Sequence, residues 1–149
     1  MPIASIGTWE FLVPDNWNLK GTDDGVSYLE SEDRTNGMYV KCIELQEPKG
    51  TARAFAEYIQ NTHEASFRSL RDADWQVVNK RDTEDRLLHR SALDMLDRKA
   101  SYRVLSLVAC DVRGAIQLTL HDYLCENYES VKDCFAKIES SIARVDAIR

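Results

Sequence analysis

The chain has 149 residues, 44% apolar and 30% charged, with a formal charge of −6; this suits one packed α+β domain over residues 1–149 and excludes a disordered or collagenous chain. The charge argues against nucleic acid and anionic membranes as partners, because both need clustered Lys and Arg, and it favours a basic protein partner. No stretch reaches the ~18 apolar residues of a membrane span, and the opening MPIASIGTWEFLV has no basic leader or cleavage pattern, so a cytoplasmic location is expected.

In chain order, TWEFLVP sets Trp9, Phe11 and Val13 against Glu10 and Leu12, the period of a strand with one buried face. Pro14 stops it, and Trp17 is expected to fold back and close the end of the core rather than to serve as a ligand platform. The segment DNWNLKGTDDG reads as a polar loop. Two strands follow, GVSYLESED and GMYVKCIELQ, joined through Arg34-Thr35-Asn36-Gly37; Asn-Gly tolerates positive φ, so a tight antiparallel hairpin is expected at Asn36-Gly37.

Over 51–71 the period changes to helical. Phe55, Ile59, Phe67 and Leu70 share a face interrupted by His63, with Thr51 placed as the cap. From 75 to 123 four segments read as a meander of adjacent strands: 75–85, 86–100, 101–112 and 114–123, the last pair turning at Arg113-Gly114. The third carries Val104, Leu105, Leu107, Val108, Ala109 and Cys110, apolar on both faces, which requires cover on both sides of the sheet. Finally Tyr128, Val131, Phe135, Ile138, Ile142 and Val145 recur at spacings of three and four, predicting an amphipathic helix over 126–145 capped by Asn127. The expected fold is therefore an antiparallel sheet of about seven strands flanked by two helices, in the order βββαββββα.

The apolar strand ending in Pro and followed by Trp, FLVPDNW, together with the hairpin, helix, meander and final helix, resembles the PsbP-like fold. That group includes the photosystem II extrinsic protein, a Ran-binding nuclear import factor, and bacterial cytoplasmic proteins linked to type VI secretion. The absence of a leader points to the bacterial cytoplasmic branch. The resemblance implies an antiparallel sheet with helices on its faces, and a protein-binding adaptor or chaperone rather than an enzyme; in the secretion-linked chaperones the sheet holds apolar effector helices.

Candidate chemistry is sparse. His63, His89 and His121-Asp122 are the starting points for catalysis, but no nucleophile elbow or Gly-rich loop accompanies them. His121 and Asp122 are neighbours on a strand, so their side chains point to opposite faces. Asp23-Asp24 and Asp82, Glu84 and Asp85 lack the register of a calcium loop and read as solvated turn carboxylates. Cys42, Cys110, Cys125 and Cys134 form no C-x-x-C pair and read as free thiols. No metal or cofactor is expected.

The acidic residues are more informative as two groups. Asp23, Asp24, Glu30, Glu32 and Asp33 surround the first hairpin, and Asp82, Glu84 and Asp85, with Asp94 and Asp97, decorate the meander; Lys41 and Arg90 interrupt the field. These carboxylates, with Tyr28 or Tyr39 as a buried aromatic anchor, form the candidate partner-binding surface. The preferred reading is a non-enzymatic immunity protein that neutralises a basic bacterial toxin by direct binding. The alternative is a secretion-effector chaperone whose sheet cradles an apolar segment, and a small hydrolase is the third. Monomer and dimer both remain open.

Overall fold

A computed structural model describes residues 1–48, 50–85, 88–125 and 128–145, with Ser130 by its backbone alone. Five strands come first: β1 (Ile3–Ile6), β2 (Trp9–Leu12), β3 (Trp17–Asp23), β4 (Val26–Ser31) and β5 (Asn36–Glu44). Helix α1 (Ala52–Arg68) follows, then β6 (Trp75–Glu84), β7 (His89–Asp97), β8 (Tyr102–Asp111) and β9 (Gly114–Asp122), helix α2 (Tyr128–Ser141) and a short β10 (Ala143–Arg144). The α+β class and the seven-stranded antiparallel sheet with two helices are as expected. The sheet order is β3-β4-β5-β9-β8-β7-β6, and β1-β2-β10 form a separate three-stranded sheet.

The two faces of the large sheet are filled differently. On one, β2 and α2 press Trp9, Phe11, Val13, Phe135, Ile138 and Ile142 onto Leu29, Met38, Val40, Leu105, Leu107, Leu118 and Leu120. Trp17 packs against the same cluster, as its place after Pro14 suggested. On the other, α1 sets Ala56 and Ile59 on Val108, Cys110 and Ala115. Strand β8 is thus covered on both faces, which is why its apolar run is continuous.

Several local readings are corrected. The segment read as a polar loop contains β3, an edge strand that pairs only with β4 and whose side chains are almost all exposed, so it lacks the alternation that marks a half-buried strand. Its turn into β4 uses Asp24 (φ 50°) and Gly25 (φ 77°), an Asp-Gly pair with both angles positive. Asn36 and Gly37 already lie within β5. The turn before them is held by the Asp33 carboxylate, which accepts from Ser31 Oγ at 2.8 Å and from Thr35 N at 3.1 Å, and its positive φ belongs to Arg34 (62°).

Thr51 caps α1 as read, its hydroxyl accepting from Ala54 N at 3.1 Å. The helix stops at Arg68, leaving Leu70 outside it and 52% exposed. Helix α2 ends at Ser141, where Arg90 donates to the carbonyls of Glu139 (3.1 Å) and Ile142 (2.7 Å), satisfying groups a helix end leaves open. Val145 therefore lies beyond the helix, its N–H bonded to Thr8 O. The expected cap Asn127 falls outside the described residues.

Candidate functional site

Strand pairing places the side chains of β3, β4, β5 and β9 in rows. Asp23, Val26, Lys41 and Gln117 form one cross-strand row, Gly21, Tyr28, Tyr39 and Thr119 the next, and Asn18, Glu30, Gly37 and His121 the third. Their neighbours in sequence, Leu29, Met38, Val40, Leu118 and Leu120, fill the main core, so these rows lie on the α1 face. Helix α1 contacts β6, β7 and β8. It reaches the rows at their β9 end, where His63 bonds Gln117 and, with Phe67, borders Tyr39 and His121; no element of the described chain lies over the β3–β5 part.

What occupies that open half is aromatic. Tyr28 stacks on Tyr39 (centroids 4.5 Å), Tyr39 meets the edge of His121 (5.2 Å), and His121 contacts both Tyr102 (5.6 Å) and Tyr123 (5.6 Å). Tyr102 carries the chain on to Trp75 (5.4 Å), and Trp75 to Phe67 of α1 (4.7 Å). Edge and offset contacts of this kind rigidify a surface. Tyr39, 41% exposed, is its most open ring.

Gly37 makes the arrangement possible. A Cβ there would stand 2.5 Å from the Tyr28 hydroxyl and 2.7 Å from that of Tyr123, so the two phenols meet over a glycine, 2.7 Å apart. Tyr28 also donates to Glu30 at 3.0 Å. Burial first, then these bonds, raises the Tyr28 phenol well above its ordinary range. Gly37→Ala is expected to separate the pair and cost about 1–2 kcal/mol by overpacking, read as a lower urea midpoint with a changed near-ultraviolet tyrosine signal.

Beneath the middle of α1, beside the apolar seat of Val108, Cys110 and Ala115, the sheet carries a polar cluster. Gln60 donates to the carbonyls of Ser91 (3.3 Å) and Ser106 (3.0 Å) and accepts from Ser106 Oγ (3.0 Å). His63 Nδ1 lies 2.8 Å from Ser106 Oγ and 3.0 Å from Gln117 Nε2. Burial lowers the His63 pKa to about 4. Burial, with the nearby His63, lowers that of His121 to about 4 as well, and His121 Nδ1 is bonded to the Tyr102 hydroxyl. His121 and Asp122 do point apart: Asp122 is buried and accepts from Cys125 N at 3.0 Å.

The acidic groups do not form one surface. Asp23 and Asp24 sit at the β3–β4 turn, while Glu32 and Asp33 lie at the other end of β4. Asp82 and Glu84 are on β6, the opposite edge of the sheet, six strand spacings or roughly 29 Å from β3. Several carboxylates are also engaged: Asp82 with His89 (2.9 Å), Asp85 with Arg90 (3.7 Å), and Asp94 with Arg103 (2.8 Å). In the Asp82–His89 pair the histidine is 3% exposed and the carboxylate is open, the reverse of a buried carboxylate orienting an accessible base.

A wider groove, about 890 Å³, lies between α2 and β6–β7. Three of its cations are already engaged: Arg103 with Asp94 and stacked on Tyr128, Arg81 with Glu139, and Arg90 with the carbonyls of Glu139 and Ile142; Lys132 lines it as well. Among the described residues no cluster of ligating side chains could hold a metal, the four cysteines are free, and no helix is long and apolar enough to cross a membrane.

No protein-family model and no curated protein matches the sequence. Among solved structures, cyanobacterial PsbP (CyanoP) from Synechocystis sp. PCC 6803 superimposes with a TM-score of 0.66 over 92% of this chain and 86% of its own. The fold is PsbP-like. At 18% identity the likeness is one of architecture, and a shared fold leaves function to the site. Within the PsbP-like sheet, Tyr28 and Tyr39 were each legible as an aromatic anchor, but a tight turn at Asn36-Gly37 would set Tyr39 opposite Arg34; their pairing follows from the turn lying before Asn36. His121, Tyr102 and Tyr123 join them only through long-range pairing; the one local signal was the polar set Gln117, Thr119 and His121 on an otherwise apolar strand.

Proposed function

We propose that this protein is a non-enzymatic protein-binding domain that seats an amphipathic helix of a partner polypeptide on the open half of its sheet, beside α1. The carrying observation is the aromatic surface of Tyr28, Tyr39, His121 and Tyr123, in which Tyr39 is exposed and the other three rings are half-buried. Its dimensions suit that occupant. From β3 to β9 the strands span about 14 Å, room for one helix of ~10 Å diameter at the 8–10 Å spacing of packed helices. The tyrosines offer apolar ring faces and hydroxyls together, which suits a segment with an apolar stripe and polar flanks.

This favours the chaperone or adaptor reading over an immunity protein that docks through carboxylates, since the two acidic groups lie on opposite sheet edges. The test is co-purification with the products of adjacent genes, followed by affinity measurement. Tyr39→Glu should weaken a recovered complex about 30-fold or more, the size of an interface hot spot. Asp24→Asn with Glu84→Gln should change it less than about threefold, as for rim charges. Sensitivity to the acidic pair with indifference at Tyr39 would overturn the proposal and restore acidic docking.

A further inference from the structure

We infer that α1 is the movable wall of this site, a helix that leaves its seat as a unit while the sheet stays intact; the functional meaning of the motion rests on the docking reading above. Three observations converge. The first is weak apolar anchoring. Of the α1 side chains only Ala56, Ile59 and Gln60 are buried, and one of those is polar, whereas Phe135, Ile138 and Ile142 on the α2 side are at most 2% exposed. Elements with few buried apolar contacts open locally before the whole domain does.

The second is the nature of the contacts in the middle of the helix. Gln60 bonds to sheet carbonyls, and a carbonyl in a ladder has a second lone pair that water can serve equally well. The His63, Ser106 and Gln117 contacts are likewise between groups that water can satisfy. Breaking them exchanges protein hydrogen bonds for water bonds, whose net difference is small.

The third is space. An open groove of about 220 Å³ lies on the β6 side of α1, against Glu57, Asn61, Lys80 and Asp82. Another of about 230 Å³ lies on the side of the open face, against Tyr39, His63, Gln117 and His121. A helix with solvent-filled grooves on both flanks meets no packed wall in either direction. Its outer tether, Glu64 with Lys80 and Arg68, is on the surface and holds it weakly. Motion toward β6 widens the open face, and return closes it on a seated segment.

Native-state hydrogen exchange on the free chain reads this without any partner. Amides of residues 56–66 should exchange at least 100-fold faster than those of β8, β9 and α2, with no sheet amide sharing the opening. Equal protection of α1 and the sheet would overturn the inference. The double variant Gln60→Leu with Ser106→Ala, which replaces exchangeable bonds by apolar contact, should slow α1 exchange about tenfold; unchanged or faster exchange in a variant with the wild-type circular dichroism spectrum would count against it. A mobile α1 in a protein whose Tyr39→Glu variant binds normally would sink the docking reading alone.

Discussion

Between pH 6.5 and pH 5 the folded state is expected to lose about 2 kcal/mol for each of two histidines, rising to about 3 kcal/mol each near pH 4. His63 and His121 are held neutral, with pKa values lowered from 6.5 to about 4. The sign follows directly. In that window the unfolded chain binds protons that the native rings refuse, so stability rises with pH, is fully present above 6.5, and falls as pH drops toward 4. The two rings feel each other's charge, so the steps belong to the pair, and the second proton is harder to add than the first. Urea unfolding at pH 7.0, 6.0 and 5.0 measures the slope, and His121→Asn should remove about half of it. A flat stability across that range would show that one or both rings accept a proton in the folded state. Lowered carboxyls such as Asp33 and Asp111 contribute their own losses further into acid, which is why the comparison stops at pH 5.

The same histidines show where the sequence was readable and where it was not. Trp9, Phe11 and Val13 announced a buried strand by alternation, and the run from Val104 to Cys110 announced a strand covered on both faces, because each pattern is local and strongly apolar. Strand β3 was invisible because an edge strand with solvent on most sides needs no apolar period; its sheet role comes from backbone pairing to β4. The hairpin was misplaced for a related reason. Asn36-Gly37 has the residue types of a tight turn, yet Gly37 is small because two tyrosine hydroxyls meet above it, a constraint set by Tyr123, more than eighty positions away in sequence. The candidate site shares that character. Two of its tyrosines stand on adjoining strands, but the misplaced turn would have put Tyr39 opposite Arg34 instead of Tyr28. The split of the acidic residues between opposite edges, and the approach of His121 to Tyr39, follow from β5 pairing with β9 rather than with β6. No composition or period encodes that choice.

Arg144→Met should be among the most damaging single changes outside the main apolar core, lowering stability by about 3–5 kcal/mol, the usual cost of leaving one partner of a buried ion pair behind. The Arg144 side chain is 8% exposed and lies 4.4 Å over the Trp9 ring. Its guanidinium meets Asp111 at 2.8 and 3.1 Å and donates to Thr8 Oγ1 at 2.6 Å. Glu44, at 3.4 Å, is half exposed and adds little. Burial works to raise the Asp111 carboxyl, and the hydrogen bonds from Arg113 and Arg144 outweigh it and hold the group below the usual carboxylate range. Removing Arg144 leaves that largely buried charge, its side chain 15% exposed, with Arg113 as its remaining cation, and strips the cover from a tryptophan that is otherwise fully buried. The loss should spread to β10, whose register places Arg144 opposite Trp9 and Ala143 opposite Glu10. Arg144→Lys should recover less than half of the stability, since an ammonium can neither pair in two places nor stack. Adding Asp111→Asn to Arg144→Met should recover part of it by removing the stranded charge. Equilibrium urea unfolding of the three variants decides the matter. A loss below about 1 kcal/mol for Arg144→Met would mean that solvent reaches Asp111 in its place, and that β10 is held by its backbone bonds alone.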